Sequence, residues 1–210
     1  MSQSTHRRPR GDSARTRAAL LEAAREVFAE RGYEGASVDD IARVAGVSVG
    51  SIYSRFGNKE TLFRALVLDH LDGELALTTD RMAGRTALQD TDAILRETGA
   101  SRARSLLDSE TWVSAMRCEN LRNEMAGYEA ATRAAVAKLV AVHRAEGAPE
   151  MGVSDEEFAG AAVAMFHGLV RQYRLDPGSV APDAYSRMMR ALARGLAAEH
   201  ADRHRTDDDC

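Results

Sequence analysis

The chain has 210 residues, 44% of them apolar and 29% charged, a globular composition long enough to bury a real core in one or two domains. Two cysteines, Cys118 and Cys210, exclude a disulfide framework and a paired Cys-x-x-Cys metal site. The net charge of -4 is uneven: residues 1–70 hold 11 Lys and Arg against 9 Asp and Glu, and the remainder holds 17 against 23. Arg7, Arg8, Arg10, Arg15 and Arg17 stand against Asp12 alone in the first 20 residues. A basic arm ahead of an acidic body fits a localised polyanion contact as well as a solvated tail. No apolar run approaches the ~18 residues of a membrane span. No signal-peptide apolar stretch follows the basic N-terminus, so the expected location is a reducing cytoplasm.

Apolar residues recur with a period near 3.6 throughout, and no alternating strand pattern competes. The first helix is expected over 13–31, with Leu20, Ala23, Ala24, Val27 and Phe28 on one face and Gly32 as its C-terminal cap. Ser37 opens a second helix, with Asp40 three residues on in a box-like arrangement and Val38, Ile41, Ala42 and Ala45 as its face, stopping at Gly46. Ser48 opens a third, carrying Ile52, Tyr53 and Phe56 and stopping at Gly57. Asn58 caps a fourth that runs to about Met82. Two short helices joined by a tight Gly-containing turn make a helix-turn-helix unit. Further helices are expected near 87–106, 109–118, 120–146, 154–175 and 182–200, with a disordered acidic tail holding Asp207, Asp208, Asp209 and Cys210. The fold class is therefore all-α.

The third helix carries the chemistry. A recognition helix enters the major groove with its N-terminal residues against base edges. Ser48, Gly50 and Ser51 are small enough to let the backbone approach a duplex. Helix N-termini at Ser37 and Ser48 present free N–H groups and partial positive charge to phosphate. Tyr53 can reach a backbone oxygen through its phenol, and Lys59 is a flexible point charge suited to the same task. Each has a plainer reading: Ser37 and Ser48 as N-caps, Tyr53 as packing, Lys59 as a surface charge, Ile52 and Phe56 as core.

The stretch from Gly32 to Phe63, GYEGASVDDIARVAGVSVGSIYSRFGNKETLF, resembles the TetR/AcrR family of transcriptional regulators. Phe28 and Gly32-Tyr33, Ser37 to Ala42, Ala45 to Ser48, Gly50 to Tyr53, Phe56, Lys59-Glu60 and Leu62 carry the resemblance. It implies a three-helix DNA-binding domain joined through helix four to a helical dimerisation and effector domain. The expected division is a basic disordered arm at 1–12, the helix-turn-helix domain at 13–60, the effector-binding and dimerisation domain at 61–200, and the acidic tail at 201–210. The resemblance implies backbone contacts at Ser37, Ser48, Tyr53 and Lys59, and a base-reading surface at Gly50, Ser51 and Ser54. Arg55 stands where the family often has His or Tyr, which leaves it open between phosphate clamp and base reader.

The implied function is a ligand-responsive, sequence-specific transcriptional regulator, a homodimeric repressor released from a double-stranded pseudo-palindromic operator by a small-molecule effector. Small residues (Ala159, Gly160, Ala161, Ala162, Ala164, Gly168) let the helix near 154–175 pair closely with the one near 182–200 across a two-fold axis. Ordinary packing within the chain is the alternative. Candidate effector-pocket residues are Trp112, Met116, Met125, Tyr128, Met165 and Phe166, with Arg117 and His167 as polar anchors; plain core is the alternative for each. Helix four, joining both halves, would transmit the effector's signal.

No catalytic residue, cofactor or metal is expected. His200 and His204 have a metal-compatible i, i+4 spacing, but in a terminal segment without the glutamate of a zinc protease. No nucleophile elbow or phosphate-binding glycine loop is present. An architectural DNA-coating protein would need broad positive charge, which the acidic body lacks. A ligand- or partner-binding helical module that no longer reads DNA stays as the alternative function.

Overall fold

In the computed structural model, which describes residues 10–83 and 88–208, helix follows helix. The order is α1 (Arg10–Gly35), α2 (Val38–Ala45), α3 (Val49–Phe56), α4 (Lys59–Ala83), α5 (Leu88–Ala100), α6 (Arg102–Arg117), α7 (Glu119–Ala145), α8 (Asp155–Leu175) and α9 (Ala184–Asp208), with one 3-10 turn at Pro177–Ser179 before α9. Among the described residues there is no strand, and the fold is all-α as expected. The chain divides into two compact units. The first is the chain up to His70 together with Ala103–Leu121; the second is Leu71–Arg102 together with Arg122 onward. The chain passes from one unit to the other inside α4, at the first residue of α6 and in the first turn of α7.

The first unit buries the predicted face of α1, Leu20, Ala24, Val27 and Phe28, together with Ile41 of α2, Ile52 of α3 and Leu62, Phe63 and Leu66 of α4. Phe28 meets Phe63 edge to face at 5.0 Å between centroids and stacks on Tyr33 at 5.9 Å. α6 adds Leu107, Thr111 and Ala115 to the buried set. Buried His70 in α4 meets Asp108 of α6, Nε2 to Oδ1 3.0 Å.

Several helix boundaries correct the sequence reading. α1 starts at Arg10, so Arg10 to Asp12 are helical rather than part of a disordered arm; Arg7 and Arg8 lie outside the described residues. At its other end the expected stop holds: Gly32, at φ 68° and ψ 172°, ends the long helix after Arg31, and one further helical turn follows to Gly35. The positive φ favours glycine there; a Cβ would also sit 2.8 Å from Oε1 of Glu110, the far end of a side chain that can swing aside. The break expected between 106 and 109 falls at Ser101. Gly99, in the last turn of α5, lies against Tyr173, whose Cδ1 would be 2.6 Å from a Cβ at that position, and Leu107 is buried in α6. At the far end α9 reaches Asp208, so Asp207 and Asp208 are helical, whereas Asp209 and Cys210 lie outside the described residues. Pairs one turn apart, Arg203 with Glu199 at 3.1 Å and Arg205 with Asp202, support that extension.

The second unit is built around Leu95, Ala162, Val170, Val180, Ala184, Tyr185 and Met189. Ser154 and Glu157 form a reciprocal capping box at the start of α8. Arg144 closes the α7–α8 connection through Asp155 Oδ1 at 2.7 Å and the Val153 carbonyl at 3.2 Å. Buried Asp92 of α5 caps α9 from 93 residues away, accepting from the Tyr185 N–H at 2.9 Å and the Ser186 N–H at 3.3 Å. Burial first, and Asp92 second, push the Tyr185 phenol up to about 12. Asp92→Asn keeps one acceptor oxygen but loses the charge at the helix N-terminus. It is expected to lower stability by about 1 kcal/mol in urea unfolding.

Candidate nucleic-acid interface

The interface is assembled from two helix N-termini and the turn between them. Ser37, in extended backbone, caps α2 by accepting from the Asp40 N–H at 3.1 Å. Its hydroxyl donates to Asp40 Oδ2 at 2.6 Å. The same carboxylate pairs with Arg31 at 2.6 Å and Arg43 at 3.1 Å. The Ser37 hydroxyl, then Arg43, hold the Asp40 carboxyl below its usual range. Gly46, at φ 66° and ψ 32°, ends α2 and donates to the carbonyls of Ala42 and Arg43. The left-handed turn there frees Ser48 to cap α3, accepting from the Ser51 N–H at 3.3 Å.

α3 is eight residues long, and its inward side is Ile52 and Phe56. At about 100° per residue, the opposite side is centred on Gly50, Ser51 and Ser54, all exposed. Tyr53 flanks that centre on one border and Arg55 on the other, while half-buried Val49 falls beside Phe56 on the inward flank. Tyr53 is 50% exposed, more than packing explains. The Ser48 and Ser51 hydroxyls share a hydrogen bond of 2.8 Å, and Ser54 donates to the Ser51 carbonyl at 3.0 Å. A Cβ on Gly50 would come no closer than 4.0 Å to its nearest neighbour, the Ser48 hydroxyl, so nothing among the described residues requires glycine there.

Lys59, at the start of α4, is placed differently from the surface charge the sequence offered. Its Nζ donates to the carbonyls of Tyr33 at 2.9 Å and Ala36 at 3.2 Å, and lies 4.5 Å from the centre of the Tyr33 ring. Asn58 caps α4 beside it, accepting from the Thr61 N–H at 2.7 Å. Lys59 thus pins the end of α1 to the beginning of α4. The spacing alone gave no signal of this, because the two carbonyls lie 26 and 23 residues upstream.

Residues 20–66 match the sequence model of bacterial regulatory proteins of the tetR family, and residues 85–198, more than half the chain, match that of the BetI-type transcriptional repressor C-terminal region. The chain belongs to the TetR family. Members of this family are non-enzymatic DNA-binding transcriptional regulators, which places the helix-turn-helix described above in the DNA-binding part of such a protein. The HTH-type transcriptional repressor AcnR of Corynebacterium glutamicum is 51% identical over 51 residues, 24% of this chain and 27% of that protein. The match therefore spans about a quarter of that relative's length. Two solved structures share the TetR fold. A TetR-family transcriptional regulator from Mesorhizobium loti superposes with a TM-score of 0.73 at 20% identity, over 89% of this chain and 96% of that one. NalD, the secondary repressor of the MexAB-OprM multidrug efflux pump in Pseudomonas aeruginosa, gives 0.64 at 23% identity, over 89% and 97%.

The effector-pocket candidates of this TetR-family chain are dispersed. Trp112 and Met116 belong to the first unit and are 59% and 50% exposed. Met125, Tyr128, Met165 and Phe166 belong to the second and are half-buried. Met165 and Phe166 pack on that unit's core, with Phe166 edge to face against Tyr185 at 5.9 Å. Among the anchors, Arg117 is exposed, and His167 lies 3.9 Å from Glu129. An open groove of about 240 Å³ lies where α7 meets the start of α8, lined by Ala134, Ala137, Lys138, Ala141, Asp155 and Glu156, and by none of the six candidates. The His200 and His204 rings are 4.4 Å apart on α9. Among the described residues, no group of three His, Cys, Asp or Glu side chains is arranged to hold a metal ion. No described helix is long and apolar enough to cross a membrane.

Gly50→Ala separates the two demands on α3. Alanine in an exposed helical position is expected to raise stability by about 0.5–1 kcal/mol. The added methyl projects from the reading side, so affinity for operator DNA is expected to fall while thermal stability rises. Melting and binding isotherms on one preparation check both signs.

Proposed function

We propose that this regulator is a cytoplasmic homodimeric repressor, bound to a pseudo-palindromic operator and released from it by a small-molecule effector. The observation that carries the DNA-reading half is the outer side of α3: small, exposed and internally unexplained at Gly50, with Tyr53 standing proud beside it. Residues 13–60 would form the reading head and 61–200 the effector-binding and dimerisation domain, between the basic arm at 1–12 and the acidic tail at 201–210. Tyr53, the third N–H of Lys59 and the backbone N–H groups at Ser37 and Ser48 would hold phosphates. The Ser37 hydroxyl already donates to Asp40, so α2 would offer phosphate its backbone rather than that side chain. Gly50, Ser51 and Ser54 would face the bases, with Arg55 at the border between base edge and phosphate.

The dimer is supported by two exposed stripes. Of the small residues on α8, Ala159 and Ala162 are buried within the second unit, whereas Ala161, Ala164 and Gly168 are exposed at i, i+3, i+7. Met188, Ala191, Gly195 and Ala198 repeat that spacing, exposed, on α9. Gly168 and Gly195 have open space where a Cβ would be. Two such helices from each protomer suit a close four-helix contact and would set half-sites about 34–36 Å apart or a multiple of it. An effector preferring the dimer with wrongly spaced heads would shift the population through α4. A coupling of about 1–3 kcal/mol changes operator affinity about 5–150-fold.

Selection of sites from random duplex DNA at near-physiological salt, with sedimentation to count protomers, tests this reading. Enrichment of one pseudo-palindrome, lost in a folded Tyr53→Phe/Arg55→Ala variant, is the expected result. A folded dimer that enriches no sequence would overturn it and leave a helical module that binds a ligand or partner. Small molecules that lower affinity for the selected operator would then identify the effector class.

A further inference from the structure

His200 and His204 are spaced for a metal ion, and what argues against one in the sequence is the disordered tail expected over 201–210. α9 instead runs as helix through Asp208, so the pair is carried on continuous helical backbone. Residues four apart on a helix are surface neighbours, and here the two rings meet with centroids 4.4 Å apart at 81°. Two bonds of about 2.0–2.1 Å from imidazole nitrogens to one ion need those nitrogens only about 3 Å apart. A small turn of each ring reaches that separation. His200 is half-buried and is steadied from outside its own helix: a Cβ on Gly152, in the α7–α8 connection, would lie 2.7 Å from its Nδ1, so the ring rests close against that connection. His204 is exposed, which leaves the pair open to solvent. The neighbouring carboxylates are engaged by arginines, Glu199 by Arg203 at 3.1 Å and Asp202 by Arg205. Among the described residues no third His, Cys, Asp or Glu completes a cluster, so the protein's share of a ligand set here is two imidazoles.

We propose that His200 and His204 clamp one divalent transition-metal ion, with water completing its coordination. The proposal stands apart from operator binding. Imidazole suits Cu2+, Ni2+ and Zn2+, whereas Mg2+ and Ca2+ call for oxygen ligands, and among the first three Cu2+ binds most tightly. Both ligands face one ion only while residues 200–204 are helical, so the bound ion staples the last turns of α9. At about 100° per residue the pair lies opposite the exposed stripe of Met188, Ala191, Gly195 and Ala198, and the clamp stays accessible when that stripe is covered.

The test uses the full-length protein without a histidine tag, stripped of metal by a chelator and titrated with Cu2+ or Ni2+ in a calorimeter. The expected result is one ion per protomer and a melting temperature raised by either ion and not by Mg2+. Electron paramagnetic resonance of the Cu2+ form is expected to show two coordinated nitrogens. His200→Ala and His204→Ala, each shown by circular dichroism to be folded, are each expected to weaken binding by about 10–100-fold, the cost of disturbing even a ligand's outer partner. His143→Ala, on α7, is expected to leave binding unchanged. Absence of binding in the native chain, or binding that survives undiminished in both variants, overturns the clamp and leaves the two rings as an edge-to-face contact alone.

Discussion

Phe28→Ala is expected to remove about 3–5 kcal/mol of stability from the first unit, the usual range for truncating a fully buried phenylalanine. The ring is 1% exposed and sits between Tyr33 and Phe63, so its loss leaves a cavity lined by two other aromatics as well as by aliphatic chains. Against a typical total of about 5–15 kcal/mol, this is about a fifth or more of what holds a domain together. Phe28 lies on α1 and is not exposed, so it makes no contact with DNA, yet the substitution is expected to abolish operator binding at warm temperatures because the reading helix loses its support. Binding would return on cooling, and saturating operator would raise the melting temperature of the variant, since DNA at 100 times its Kd adds about 2.7 kcal/mol to the folded state. Phe28→Leu keeps most of the volume and is expected to cost less than about 1.5 kcal/mol. Urea unfolding with and without DNA checks both variants. A loss below about 1 kcal/mol in Phe28→Ala would mean that the aromatic cluster is not the keystone of the reading unit.

The reading unit is the most legible part of the sequence because its signals are local. Ser37 with Asp40, Gly46 with Ser48, and Gly57 with Asn58 are caps and stops within a few residues of one another, and their chemistry does not depend on the rest of the fold. The buried pair Ile52 and Phe56 follows from helical period alone. Long-range partners leave no such trace. Arg31 on Asp40, His70 on Asp108, and Glu110 against Gly32 each need the fold before they can be seen. Gly99 escapes the sequence for the same reason: a glycine inside an apolar-periodic segment reads as a mild penalty, and only the close approach of Tyr173 shows what the missing side chain makes room for. The effector candidates illustrate the opposite difficulty. Trp112, Met125 and Phe166 are alike in bulk and adaptability, but residue type does not say which unit a side chain joins or whether it faces water.

Lys59→Met is expected to lower the stability of the first unit by about 2–3 kcal/mol, the range for a charged donor bonded to buried or half-buried acceptors. Methionine preserves the length and the apolar stem of the side chain, so the loss reports the ammonium rather than packing. The Tyr33 and Ala36 carbonyls belong to the stretch where α1 ends and the chain turns toward α2, a place where carbonyls generally run out of helical partners. The Tyr33 ring beneath the ammonium adds a cation–π attraction. This structural task is distinct from holding a phosphate, and the two are separable by experiment. An ammonium has three N–H groups; two point at carbonyls, and the third is the one a phosphate would use. Neutralising a phosphate makes the logarithm of affinity depend on the logarithm of salt concentration, with a slope of about 0.9 for each phosphate neutralised. Lys59→Met is therefore expected to lower the melting temperature and to flatten the salt dependence by about 0.9 per protomer. Thermal melts and binding isotherms over a salt series measure the two effects independently. A lowered melting temperature with an unchanged salt slope would assign Lys59 wholly to the joint between α1 and α4. Holding the phosphates would then fall to Tyr53, to the helix N-termini at Ser37 and Ser48, and to Arg55.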